Sequence, residues 1–153
     1  MILSHKDHLY QIEENDLTTT IYKNNDAKTY TAIENIGTLS PDHFCVMNYI
    51  KVARYSEAIF EERFLNRTSY LGETPGFVAL RVLRPYDPQN HYIILSLWDD
   101  RDSFETWQMS SHYKSIYKEH HQLEGLDQEV IDLNASYLIN CLLYTSDAAD
   151  ERS

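Results

Sequence analysis

Asn48 is the one polar side chain on a face that is otherwise apolar. Read with a two-residue period, His43–Ala53 (HFCVMNYIKVA) sets Phe44, Val46, Asn48, Ile50 and Val52 on one side. Cys45, Met47, Tyr49 and Lys51 fall on the other. A buried amide costs on the order of 1–3 kcal/mol unless it is hydrogen-bonded. Asn48 therefore either has a structural partner or projects into a pocket and meets a ligand. Arg63 and Arg67 form a second feature. On a helix that starts with Ser56 as N-cap and Glu57 in its first turn, Phe60, Phe64 and Leu71 make an apolar stripe. Arg67 falls on that stripe and Arg63 on its edge, one turn earlier. Guanidinium groups so placed either reach over the rings to water or clamp carboxylates as two forks.

Other groups offer less. Asp99, Asp100 and Asp102 open a helix, where negative charge suits the helix dipole, and a metal cluster is the weaker reading of them. His5, His8, His43 and His91 have no metal-ligand spacing. Cys45 and Cys141 give neither a disulfide framework nor a metal site. With 24 acidic and 13 basic residues the net charge is −11, which argues against nucleic acid or an acidic membrane as partner. No apolar run reaches ~18 residues, so no integral membrane segment is expected. The start, MILSHKDHLY, lacks an apolar core of signal-peptide length, and a soluble cytoplasmic protein is the expectation.

The elements that must carry these residues follow from periodicity. His43–Ala53 reads as a strand, Ser56–Leu71 as a helix, and Thr74-Pro75-Gly76 as its stop. Phe77–Arg84 and His91–Trp98 read as strands joined by a hairpin loop. A helix starting at Asp99 then buries Phe104 and Trp107, Tyr113–His121 continues helical, and Ala135–Asn140 reads as a final strand. Strand, helix, strand, strand, helix, strand is the split βαβ order, so the fold expected is α+β, ferredoxin-like, an antiparallel sheet with helices on one face. Cys45, Met47 and Tyr49 on the opposite face want cover, from a second copy of the chain or from the N-terminal residues. Within those residues, Thr18–Tyr22 and Thr29–Ile33 are β-leaning and flank the turn signal Lys23–Asp26, which suggests a small accessory hairpin. The last thirteen residues, CLLYTSDAADERS, resemble a translated sequencing adapter and are set aside as non-native. The expected organisation is a β-rich extension over 1–40, a ferredoxin-like domain over 41–140 and the tail 141–153.

NYIKV (48–52), FEERFLNR (60–67), PGFVALRVLRP (75–85) and YIILSLWDDRDSFETWQMSSHYK (92–114) together resemble the antibiotic-biosynthesis-monooxygenase domain. The likeness is nearest to heme-degrading monooxygenases of the IsdG and HmoB types, whose relatives pair as dimeric α+β barrels. The resemblance implies a heme-degrading monooxygenase in which heme is both substrate and cofactor, with O2 and an external reductant, and a possible homodimer. It places the family's pocket Asn on Asn48, the Trp that presses on the porphyrin on Trp107, and the propionate-binding arginines on Arg63 and Arg67. The axial His position, ten residues after that Trp, is Tyr117 here, and His121 lies one helical turn further on, so either could ligate the iron. A phenolate ligand holds ferric iron and opposes reduction. The alternatives that the resemblance leaves open for this chain are a non-catalytic heme- or small-molecule-binding stress or regulatory protein of the TRAP type, whose members share the extended architecture and lack the heme-site residues, and a cofactor-free oxygenase of aromatic compounds on the same fold.

Overall fold

The computed structural model describes residues 1–5, 8–40, 42–66 and 71–110 in full, and residues 67 and 131–143 by their backbone. The described strands are β1 (Ile2–His5), β2 (His8–Asn15), β3 (Thr18–Lys23), β4 (Asp26–Ile36), β5 (Phe44–Val52), β6 (Phe77–Pro85), β7 (Tyr92–Trp98) and β8 (Ile131–Leu143). Two helices, α1 (Glu57–Arg67) and α2 (Arg101–Gln108), follow β5 and β7. All strand pairings are antiparallel, and the order β1-β2-β3-β4-β6-β7-β5-β8 closes on itself as a barrel. The α+β architecture with antiparallel strands and helices on one side is as expected. The barrel, however, is completed within one chain.

That closure changes the role of the N-terminal residues. The expected hairpin is present as β3 and β4, paired from Thr18↔Thr31 to Lys23↔Asp26. Asp16 (φ 56°) and Asn24 (φ 57°) turn β2 into β3 and β3 into β4 over two-residue loops, in the left-handed region that Asn and Asp tolerate. β1 and β2, which sequence reading left unassigned, extend the hairpin, and β4 joins it to β6. Leu3, Tyr10, Ile12, Ile21, Tyr30 and Ala32 then face Cys45, Met47, Leu83 and Leu95 across the barrel interior. Cys45 and Met47 are fully buried there, so the cover they need comes from their own chain.

Arg81 points into the same interior and is 6 % exposed. Its Nε donates to Glu14 Oε2 at 2.7 Å and its Nη1 to the carbonyl oxygens of Ile36 and Leu80. The charge is thereby paired and hydrogen-bonded, the condition under which burial is tolerated.

The other face of β5, β6 and β7 carries α1 and α2. Phe44, Val46, Ile50, Leu80, Val82, Ile94 and Trp98 meet Phe60, Phe64, Phe104 and Trp107 in a second core. α1 stops at Arg67, short of the Leu71 that sequence reading assigned to it; Leu71 is buried instead in a separate 3-10 turn, Leu71–Glu73. Among the described residues, no helix is long and apolar enough to cross a membrane.

Candidate functional site

A tight loop and a short helix form the cleft. Gly76 has φ 81°, and a Cβ there would fall 2.3 Å from Ser103 Oγ. Only glycine lets Thr74-Pro75-Gly76 lie this close to the start of α2. The Gly76 carbonyl also accepts from the Asp99 N–H at 2.8 Å. Asp100 caps α2: its Oδ1 accepts from the Ser103 N–H and the Ser103 hydroxyl, each at 2.8 Å. These two bonds, the backbone one first, hold the Asp100 carboxyl below its usual range.

Phe104 and Trp107, three residues apart, turn the same side of α2 to the sheet. Trp107 stacks on Trp98 with ring centroids 5.1 Å apart and planes at 31°. Trp98 is itself fully buried, meets Phe77 and Phe104 and donates from Nε1 to Ser96 Oγ at 3.0 Å. The outer side of Trp107 therefore rests on a backing that cannot yield. It lines a cleft of about 550 Å³ between α2 and the loop Glu73-Thr74-Pro75. That volume lies in the range of small-molecule sites, roughly 300–1,000 Å³. Glu73, Asp100 and Asp102 face the cleft, and among the described residues that line it there is no Arg or Lys.

The other candidates sit as follows. Asn48 is half-buried on β5, on the helix-covered face with Val46 and Ile50, and pairs in register with Ile94. Arg63 is half-buried on α1, at the edge of the Phe60–Phe64 stripe. Arg67 is the last residue of α1. Neither Asn48 nor Arg63 is among the residues lining the Trp107 cleft, although all three belong to the helix-covered side. Tyr117 and His121 lie outside the described residues.

One cluster escaped the sequence reading. Glu61 on α1 receives Arg84 Nε at 2.8 Å and Arg84 Nη2 at 2.7 Å, and the Tyr92 hydroxyl donates to the same carboxylate. Burial alone would raise the Glu61 carboxyl, but the bonds from Arg84 and Tyr92 and the Arg84 charge hold it below its usual range. Burial, and then the bond to Glu61, push the Tyr92 phenol far above its usual value. A signal was available: Arg84 shares the parity of Leu80 and Val82, which puts a charge on the helix-covered face where it must find an anion.

Residues 43–119 match the family described as antibiotic biosynthesis monooxygenase. Over 61 residues the chain is 28% identical to the heme oxygenase (mycobilin-producing) of Mycobacterium tuberculosis, a match covering 40% of this chain and 58% of that protein. The chain thus spans little more than half the length of that relative. Among solved structures, a major regulator of staphylococcal pathogenesis superposes with TM-score 0.68 at 18% identity, covering 90% of this chain and 86% of that one. LmHde, a heme-degrading enzyme from Listeria monocytogenes, superposes with TM-score 0.56 at 17% identity, covering 86% and 83%. At such identities these superpositions speak for the fold.

Proposed function

The chain belongs to the antibiotic biosynthesis monooxygenase family, and on that premise we propose that it binds heme on the helix-covered face of its sheet and opens the porphyrin ring oxidatively. The observation that carries this reading is Trp107: a buried indole, stacked on Trp98, whose edge lines a cleft of suitable volume. The aligned mycobacterial heme oxygenase supports it. When bound, heme supplies both the redox iron and the ring that is cleaved, with O2 and an external reductant as co-reactants.

The chain's own residues have separable tasks in this proposal. Trp107 would form one wall of the heme site, held in place by the buried indole behind it. The three carboxylates at the cleft would disfavour an anionic group there, which leaves the propionates to be held from α1. There Arg63 and Arg67 supply the guanidinium forks. The Asn48 amide provides a hydrogen-bond donor on an apolar wall, where such a donor is strong because water does not compete. Tyr117 or His121 supplies the iron ligand. A phenol titrates near ~10, so Tyr117 must lose its proton with help, and His121 is placed in sequence to accept it.

The test is spectroscopic. Hemin is added to the protein, the Soret band is recorded, and ascorbate follows under air. A band that forms and bleaches is the expected result; failure to form any band would overturn the heme reading. Tyr117 also favours a second reading, a binder that does not turn heme over, because phenolate opposes reduction of the iron. A band that persists under ascorbate selects that reading, and Tyr117→His should then raise heme loss.

A further inference from the structure

The flank of α1 facing β6 and β7 is fastened by a three-residue clamp. Both Arg84 nitrogens meet Glu61 as a fork, at 2.8 and 2.7 Å, a geometry that fixes direction as well as distance. The Tyr92 hydroxyl donates to the same carboxylate. Phe60, one residue before Glu61, packs on the Tyr92 ring with centroids 4.8 Å apart and planes at 67°, so the phenol is also held from the side. The Glu61 side chain is 16 % exposed and the Arg84 side chain 47 %, so the pair is partly screened by water and its direction comes from the two-pronged geometry and the Tyr92 bond. The clamp borders a cavity of about 460 Å³ that is separate from the Trp107 cleft.

Phe60 and Phe64 seat α1 on the core. At about 100° per residue, Glu61 and Arg63 lie roughly 200° apart around the helix, on opposite flanks of that seat. Leu65 packs against the same core, and a polar clamp on one flank of this apolar seat adds a directional restraint on the roll of the helix about its axis. On a helix about 10–12 Å across, a roll of ~20° moves side-chain positions by about 2 Å, enough to break a hydrogen bond.

We propose that Glu61 is a positioning residue: through Arg84 and Tyr92 it sets the roll of α1, and with it the place from which Arg63 reaches an anionic ligand. What Arg63 holds rests on the heme reading above; the clamp does not.

The test is a double-mutant cycle on the full chain, read as hemin affinity from the Soret band. Glu61→Gln should weaken hemin binding about tenfold, and in an Arg63→Ala background it should add less than about twofold. Losses that simply multiply would overturn the proposal, because a residue that only stabilises the fold does not act through Arg63. Amide exchange gives a readout without ligand. Glu61→Gln should speed exchange across residues 57–67 about tenfold and leave β6 and β7 unchanged; unaltered exchange in α1 would overturn the clamp whatever hemin does. Tyr92→Phe, which keeps the ring and removes one donor, should show the same pattern more weakly and serves if Glu61→Gln does not fold. Absence of a Soret band in the unmodified chain sinks the heme reading alone, and the exchange measurement then decides the clamp.

Discussion

Strands β5, β6 and β7 carry two cores made of different material. Inside the barrel, the side chains that these strands contribute, Met47, Leu83, Ile93, Leu95 and Leu97, are aliphatic, they meet Tyr10 and Tyr30 from the N-terminal strands, and Arg81, the one buried charge among the described residues, is held by Glu14. Under the helices, aliphatic residues such as Val46, Ile50, Leu80, Val82 and Ile94 are joined by a large aromatic share, Phe60, Phe64, Tyr92, Trp98, Phe104 and Trp107, with Asn48 and the Glu61 clamp beside them. Branched aliphatic chains interdigitate and fill space completely. Flat rings leave edges, faces and a cleft. One sheet thus carries two environments: the interior holds the barrel shut, and the outer face borders the cleft in which the proposed ligand would sit.

Substitutions on the two sides should separate those tasks. The largest effect is expected inside the barrel. Leu95→Ala, at a fully buried site, should cost about 2–5 kcal/mol of stability. Urea unfolding measures the loss, and hemin affinity of the folded chain should stay the same; a parallel fall in affinity would mean that the two cores are not independent. Glu14→Ala should cost less, about 2 kcal/mol, because it strands the Arg81 guanidinium but Glu14 is one-third exposed and water can enter. Arg81→Met, which removes the charge instead, should be milder than Glu14→Ala in the same assay. On the outer face the order reverses. Trp107→Phe should lower hemin affinity about tenfold, equal to ~1.4 kcal/mol, with a smaller fall in the urea midpoint than Leu95→Ala because the ring that remains fills part of the buried site.

The smallest effect is a pH dependence confined to the clamp. The Glu61 carboxyl lies below its ordinary 4.5, so its contribution to stability is complete above that pH and is lost as pH falls through the lowered value. The Tyr92 phenol lies above its ordinary 10.0, so its contribution is complete below that pH and is lost as pH rises beyond it. Tyr92→Phe should therefore remove part of the alkaline fall in the urea midpoint and make the acid fall shallower. An unchanged profile at both ends would uncouple the phenol from Glu61.

Legibility in the sequence followed the range of the interactions. Parity within one strand placed Asn48 on the helix-covered face, and helical spacing placed Phe60 and Phe64 in the core, because both signals are local. Turn chemistry located the Lys23–Asp26 reversal for the same reason. β1 and β2 were missed because Leu3, Tyr10 and Ile12 are thinly spaced among polar neighbours and gain a common face only when the barrel closes. Arg81 and Arg84 could each be given a side of β6, but their partners Glu14 and Glu61 come from a distant strand and a helix. No periodicity within a segment reports which other segment will lie beside it. Tyr117 and His121 became candidates for the iron ligand only through family resemblance, since a lone Tyr or His carries no pattern of its own.

The barrel closes through a narrow catch. Among the described residues β1 meets β8 at Leu3↔Leu143 and Ser4↔Leu142, whereas β2 meets β3 along six pairs. That catch joins opposite ends of the sequence, so it carries the greatest loop-closure entropy of any contact in the fold and forms after the hairpins have zipped. Its pairing is between strand backbones, which any residue but proline can supply, so the catch depends little on which side chains follow Asn140. During refolding, β1 of one molecule and the open β8 edge of another are matched for as long as the catch stays unmade. Concentrated refolding should therefore trap strand-exchanged dimers, and dilute refolding should return the closed chain.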